Sequence, residues 1–141
     1  LGKGIGAAVA ADGTLHVAYG DANHRVMYRT LKGGMPGGAA ELVDDGTRTV
    51  GTTPESHWVG GGLHLFLDGD SPIIAYQDQT AGSLEAARKS GSWTHGTVSP
   101  GGEKSRGYYP QAVGNGGRWL VLDVVYDRMA TALSSTAFSP L

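Results

Sequence analysis

Asp21 and Asp78 are the acidic residues with the most regular placement, because they recur 57 residues apart in matching surroundings. Each follows an Ala-Tyr-x sequence at the end of an alternating segment. A recurring carboxylate can bind sugar hydroxyls or a cation, or it can cap backbone N–H groups in an Asx turn. A residue that returns in every repeat generally serves the repeat. We therefore favour the turn and keep ligand binding as the alternative.

Aromatic side chains in loop-like surroundings offer a second kind of chemistry. Trp58 precedes a run of three glycines, and Tyr108 and Tyr109 are adjacent. Flat rings of this kind stack on the faces of sugars and line binding surfaces. Trp93 and Trp119 begin strands, where packing between repeats is expected to bury them. The first three, with the two recurring aspartates, are the predicted ligand-binding residues.

The sequence lacks the residues that most classes of catalytic site require. There is no cysteine, no Gly-x-Ser-x-Gly sequence and no histidine pair with metal-ligand spacing among five histidines. Two carboxylates of glycosidase type could still be drawn from Asp21, Asp78 and Glu55, if the fold brings them together across a funnel. We predict no cofactor and no resident metal. Calcium is the alternative, because Asp68-Gly69-Asp70 places two carboxylates close together, although a hairpin turn explains that run.

The amino-acid composition indicates that a β-fold positions these side chains. The chain has 141 residues, 24 of them Gly, and only 17% are charged. Glycine is costly inside helices, so a helical bundle is disfavoured. The net charge of −2 gives no footprint for nucleic acid, and no apolar run is long enough to span a bilayer. The start at Leu1 instead of Met indicates that an upstream segment has been removed or left out, and few lysines with many Gly, Ser, Thr and Ala favour a secreted or cell-surface protein.

Period-two alternation divides the chain into strands that repeat in groups of four. The first group is predicted from strands at 7–11, 14–19, 25–31 and 39–44. The second is predicted from 63–67, 72–76, 83–89 and 93–99. A third, more degraded copy would use 110–113, 119–126, 129–133 and a fourth strand in the tail 135–141. A helix over 127–138 is the rival interpretation of that end. The approximate repeats are 3–48, 57–101 and 105–141.

Three segments of the second repeat carry a family resemblance: Pro72-Ile73-Ile74-Ala75-Tyr76-Gln77-Asp78, Gly82-Ser83-Leu84-Glu85-Ala86-Ala87 and Ser90-Gly91-Ser92-Trp93-Thr94. They resemble bacterial β-propeller repeats, which are common in exported proteins of myxobacteria. The last segment is also distantly similar to the Asp-box turn of sialidase-type propellers, although it lacks the Asp. The resemblance implies an all-β, propeller-like fold of about three four-stranded blades.

Three blades are too few for a closed propeller, which needs four to eight. The terminal blades would leave apolar faces and strand edges open. Three arrangements therefore remain: the rest of a precursor completes the ring non-covalently, two copies form a six-bladed ring, or the units build a small sandwich or barrel.

The resemblance and the candidate residues together predict a non-catalytic binding or interaction module for a glycan or a protein. One chain of a nicked propeller hydrolase is the first alternative. A structural or matrix protein that assembles through open blade edges is the second.

Overall fold

The described part of the chain is built from β-strands joined by turns and loops. The computed structural model describes residues 3–127 and 131–138. All regular secondary structure in these residues consists of β-strands in antiparallel sheets. The prediction of an all-β fold is confirmed. No helix in these two ranges is long and apolar enough to cross a membrane.

Sheet 1 is an antiparallel meander of three longer strands, with two short strands side by side along its last edge. Its strands are β1 (Ile5–Val9), β2 (Leu15–Gly20), β3 (Val26–Lys32), β4 (Met35–Pro36) and β5 (Glu41–Asp44). Both short strands, β4 and β5, pair with β3. A separate hairpin of β6 (Thr47–Val50) and β7 (Thr53–Ser56) follows, in a region for which the sequence predicted no strand.

Sheet 2 is the central and longest-paired meander. Its order is β11-β10-β9-β8, and its strands are β8 (Val59–Asp68), β9 (Ser71–Asp78), β10 (Ser83–Ser90) and β11 (Ser92–Ser99). The four predicted strands are present, with β8 beginning four residues earlier than expected. This early start places three glycines inside a strand.

Sheet 3 has three strands in the described residues: β12 (Ser105–Asn115), β13 (Arg118–Tyr126) and β14 (Thr131–Phe138). The strand prediction for this end is confirmed over 131–138, and the helix alternative is wrong. The predicted fourth strand in 135–141 is also wrong in part, because 135–138 continue β14 and pair with β13. Residues 128–130 and 139–141 of these predicted strands lie outside the described ranges.

The three sheets pack face to face in chain order, with β8 in contact with both β1 and β12. One apolar cluster joins sheets 1 and 2 and includes Tyr28, Leu65, Ile74 and Tyr76. A second joins sheets 2 and 3 through residues such as Ile73, Leu84, Trp119 and Val121. The predicted burial of Trp119 is confirmed, between sheets 2 and 3, and Trp93 is partly buried and packs edge-on against Tyr28 with ring centroids 5.0 Å apart.

Candidate ligand-binding site

A cavity of about 330 Å³ lies where β1, β8 and β12 meet. Aromatic rings, side-chain amides and one ammonium group line it. The lining residues are Lys3, Gly4, Ile5, Gly62, Leu63, Gln77, Gln79, Tyr108, Tyr109, Pro110 and Gln111. The cavity therefore combines apolar ring surface with neutral hydrogen-bonding groups, and no carboxylate is among the lining side chains.

Irregular pairing in two strands opens this space. The register of β8 against β9 shifts between Val59 and Leu63, and that of β12 against β13 shifts between Tyr108 and Gln111. Such bulges redirect side chains and commonly border binding sites. At Gly62 a Cβ atom would stand 2.9 Å from the backbone nitrogen of Tyr109, so only glycine lets the two strands approach here.

Tyr109 is the most exposed aromatic side chain at the cavity, with 74% of its surface accessible. Its φ is 48°, in the left-handed region that bulky side chains avoid. Backbone strain of this kind persists where the surrounding structure imposes it, and it is concentrated at binding sites. Tyr108 is held differently: its hydroxyl accepts a hydrogen bond from Ser105 Oγ at 3.1 Å, and its ring packs against Tyr126.

The amides around the cavity differ in how they are used. Gln77 is buried, and its Nε2 donates to the carbonyl of Arg106 at 2.6 Å. The backbone N–H of Gln79 donates to the carbonyl of Trp58 at 2.8 Å, and the amide end of the Gln79 side chain lies against Gly61. Lys3 Nζ donates to the backbone carbonyl of Asp21 at the cavity's rim. Gln79 is half-exposed and Gln111 is exposed, with Gln111 Nε2 donating to the carbonyl of Pro110 at 3.0 Å.

Two of the five predicted ligand-binding residues, Tyr108 and Tyr109, line the cavity. Trp58 does not; it is 57% exposed and stacks on His24, with ring centroids 4.5 Å apart. Asp21 also lies outside the lining. Its Oδ1 accepts from the backbone N–H groups of residues 23 and 25, and its Oδ2 pairs with the guanidinium of Arg25 at 2.6 Å.

Asp78 caps a turn in the same way, but deeper in the protein. Its side chain is 1% exposed, and its Oδ1 accepts from the backbone N–H groups of Thr80 and Ala81. Its Oδ2 bonds His57 Nδ1 at 2.7 Å and lies 3.5 Å from Arg48 Nε. Both oxygens are thus satisfied within the chain. This geometry favours the turn-capping interpretation of the recurring aspartates over ligand binding.

Arg48 joins Asp78 to a second buried carboxylate, Asp44. The guanidinium donates to Asp44 at 2.9 and 2.8 Å, and Tyr76 Oη donates to the same carboxylate at 2.7 Å. Burial alone would raise the pKa of Asp44, but these bonds and one from the Gly46 N–H outweigh it and hold that pKa below its ordinary value. Burial raises the pKa of Tyr76 well above its usual range. The cluster locks the β6–β7 hairpin region to sheet 2.

Sequence reasoning missed the glutamines of the cavity and the role of Arg48. Gln77 and Gln79 flank Asp78, and their proximity to a recurring residue was the available signal. Arg48 lies four residues after Asp44, but a register that brings both beside Asp78 depends on sheet packing.

Asp68, in the run considered for calcium, has both oxygens bound by protein donors. They accept from the backbone N–H groups of Gly116 and Gly117 and from Trp119 Nε1, each at 2.8 or 2.9 Å. Within residues 3–127 and 131–138, no group of three His, Cys, Asp or Glu side chains is arranged to hold a metal ion.

The comparisons with known proteins assign no relative. No protein-family model matches the chain, and no curated protein matches it at a significant level.

Proposed function

We propose that this chain is a non-catalytic, exported binding module of β-propeller type, and that its ligand is a glycan held in the cavity between β1, β8 and β12. The observation that carries the proposal is the lining of the cavity. Tyr109 and Tyr108 offer ring faces, Gln79 and Gln111 offer amide donors and acceptors, and Lys3 adds a cation. Stacking combined with neutral hydrogen bonding suits a sugar, which has an apolar face and a rim of hydroxyls.

The propeller assignment draws on the succession of sheets. Three antiparallel sheets follow one another in chain order, and the first strands of consecutive sheets lie side by side. Radial repetition of this kind is how propellers are built. In this proposal sheets 1, 2 and 3 are blades, and another chain, either the rest of a precursor or a second copy, completes the ring. The chain would act outside the cell or on its surface.

Binding accounts for the cavity better than hydrolysis. A glycosidase needs two carboxyl groups beside the scissile bond. The candidates Asp21, Asp78 and Glu55 are all outside the lining, and the first two are engaged by protein donors. One observation keeps the nicked-hydrolase alternative: His57 lies between two carboxylates, with Nδ1 2.7 Å from Asp78 Oδ2 and Nε2 3.9 Å from Glu55 Oε2.

The test is a glycan array followed by titration of the best glycan against three variants. Tyr109→Gly and Gln79→Ala should weaken binding at least tenfold, or about 1.4 kcal/mol, because each removes a contact inside the cavity. Tyr109→Gly should not lower Tm, because glycine accepts φ of 48° without strain. Trp58→Ala is the matched aromatic control outside the cavity and should bind as the unmodified protein does.

Three results would overturn the proposed function. They are failure to bind any glycan, loss of binding only in Trp58→Ala, and glycan hydrolysis that His57→Ala abolishes. The last result would establish the hydrolase instead.

A further inference from the structure

Within residues 3–127 and 131–138, the two outer sheets each leave one face open, whereas the central sheet is covered on both. Every residue of β9 from Pro72 to Asp78 is buried. In β2 and β13 buried residues alternate with partly or fully exposed ones, which is the pattern of a sheet packed on one side.

The open faces are apolar. The open face of sheet 3 carries one charged residue among those described, Arg118 at the end of β13, and its centre consists of Gln111, Val113, Leu120, Leu122, Val124, Leu133, Ser135 and Ala137. The open face of sheet 1 carries a single charge, from Arg29, among Ile5, Ala7, Val9, Leu15, Val17, Tyr19, Met27 and Leu31. Ile5, Val9, Val113 and Leu133 are between 67 and 73% exposed. Exposed apolar area of this extent marks an interaction surface.

Residues at equivalent positions of the second strands of sheets 2 and 3 show that each sheet packs on the one before it with the same face. Tyr76 of β9 faces the preceding sheet and bonds Asp44 at the end of its last strand. Asp123 of β13 likewise lies toward the preceding sheet, where Arg106 links it to Ser99 at the end of β11. The neighbouring Ala75 faces the following sheet. Each sheet thus has a backward face, which meets the sheet before it, and a forward face, which meets the sheet after it.

By the same packing order, one of the two open faces is a backward face and the other is a forward face. Ala18 of β2 packs toward sheet 2, as Ala75 packs toward sheet 3, so Tyr19 belongs to the backward face of sheet 1. Leu122 alternates with Asp123 and therefore lies on the forward face of sheet 3. The chain already joins a forward face to a backward face twice, and it leaves one of each uncovered.

From this complementarity we propose that a second copy of the chain is the partner, with the forward face of sheet 3 of one copy packed on the backward face of sheet 1 of the other. The contact is head to tail, and two copies supply six sheets. The inference rests on the proposed propeller assembly and names its missing component.

The test is the native mass of the purified chain, followed by mixing of two variants. The unmodified protein is expected at twice the 14.6 kDa of one chain. Val17→Arg damages only the backward face, and Leu122→Arg damages only the forward face, so neither variant should pair with itself. Mixed together they should recover a dimer, because each still offers the face that the other lacks. Val50→Arg, on the exposed β6–β7 hairpin, is the matched control and should stay dimeric.

Three results would overturn this inference: a mass of one chain, a dimer that survives in one of the two face variants, or a mixture that stays monomeric while both variants are folded by circular dichroism. Co-purification of a different chain on these faces would also overturn it, in favour of the rest of a precursor. Glycan titration of Leu122→Arg separates the two proposals. Binding retained by a monomer leaves the proposed function standing, whereas a dimer without glycan binding removes only that function.

Discussion

At the scale of residues, buried charge is concentrated where the β6–β7 hairpin region joins sheet 2. Asp44 is 2% exposed and bonds Arg48, Tyr76 and the Gly46 N–H. An ion pair of this kind stabilises a fold less than its geometry suggests, but removing one partner leaves an uncompensated buried charge. The cluster should therefore be sensitive to truncation.

We expect Asp44→Ala to lower the free energy of unfolding by about 3–5 kcal/mol, because Arg48 and the Tyr76 hydroxyl lose their acceptor. Asp45→Ala, next to it and exposed, should cost less than about 1 kcal/mol. Urea unfolding at several pH values measures both. Because the folded-state pKa of Asp44 is lowered, its contribution is complete above the unfolded value of about 3.9 and is lost as the pH falls through the folded value. A constant difference down to strong acid, or equal costs at the two positions, would contradict this account.

Glu85 contributes to stability with a pH dependence opposite to that of Asp44. It is 3% exposed, and burial raises its pKa against hydrogen bonds from Ser83 and Thr97 that lower it. Ionised Glu85 therefore destabilises the fold at neutral pH. We expect Glu85→Gln to raise Tm at pH 7 and to match the unmodified protein below the unfolded pKa of about 4.3, where both states are protonated. Thermal unfolding from pH 3 to 8 tests this, and a lower Tm for the variant at pH 7 would refute it.

Sequence reasoning at this scale identified the repeated aspartates and the Tyr108-Tyr109 pair. Recurrence favoured the turn for Asp21 and Asp78 but left ligand binding as the alternative, because an Asx turn and a ligand site need the same residue at the same place. The strained backbone of Tyr109 depends on a bulge in β12, and no local pattern announces it.

At the scale of elements, glycines set how closely the sheets approach. Gly60 and Gly107 have φ of 79° and 78°. Gly60 lies near the start of β8, against the end of sheet 1 where β2 turns into β3. Gly107 lies near the start of β12, against the end of sheet 2 where β9 turns into β10. A Cβ on Gly107 would stand 2.9 Å from the carbonyl oxygen of Ser83. These two positions need glycine for conformation and for space together.

We expect Gly107→Ala to cost about 1–2 kcal/mol from the left-handed backbone and about 1–3 kcal/mol more from the close contact. Gly69→Ala is the matched control, because its φ is 61° and a Cβ there meets nothing within 4 Å. It should show only the backbone cost. Equal losses of stability in chemical denaturation would show that the sheets do not constrain Gly107.

The four predicted strands of sheet 1 and the four of sheet 2 followed from alternation and from turn residues such as Asp-Gly, since both signals are local, whereas β4 was not predicted. The β6–β7 hairpin was missed because Thr47 to Ser56 is almost wholly exposed and has no alternating apolar face. The predicted boundary of the tail was wrong because Ser135 extends β14 by pairing with Leu122, a contact that the neighbouring sequence does not reveal.

At the scale of the whole molecule, the sheets form a stack in which sheets 2 and 3 are tied at both ends. Asp68, in the turn between β8 and β9, accepts bonds from the turn between β12 and β13 and from Trp119. Arg106 ties the other end of sheets 2 and 3 through Ser99 and Ser134. The cavity lies beside the leading strands of all three sheets, so the stack acts as a rigid frame for Tyr109 and Gln79.

An NMR titration of the labelled protein tests most directly whether this cavity binds a glycan. With the best glycan from the array, we expect amide shift changes that saturate together and are concentrated at Gly4, Gly62, Gln79 and Tyr109, with little change at Trp58. Saturating changes centred on Trp58 or His57, with the cavity amides unmoved, would contradict it.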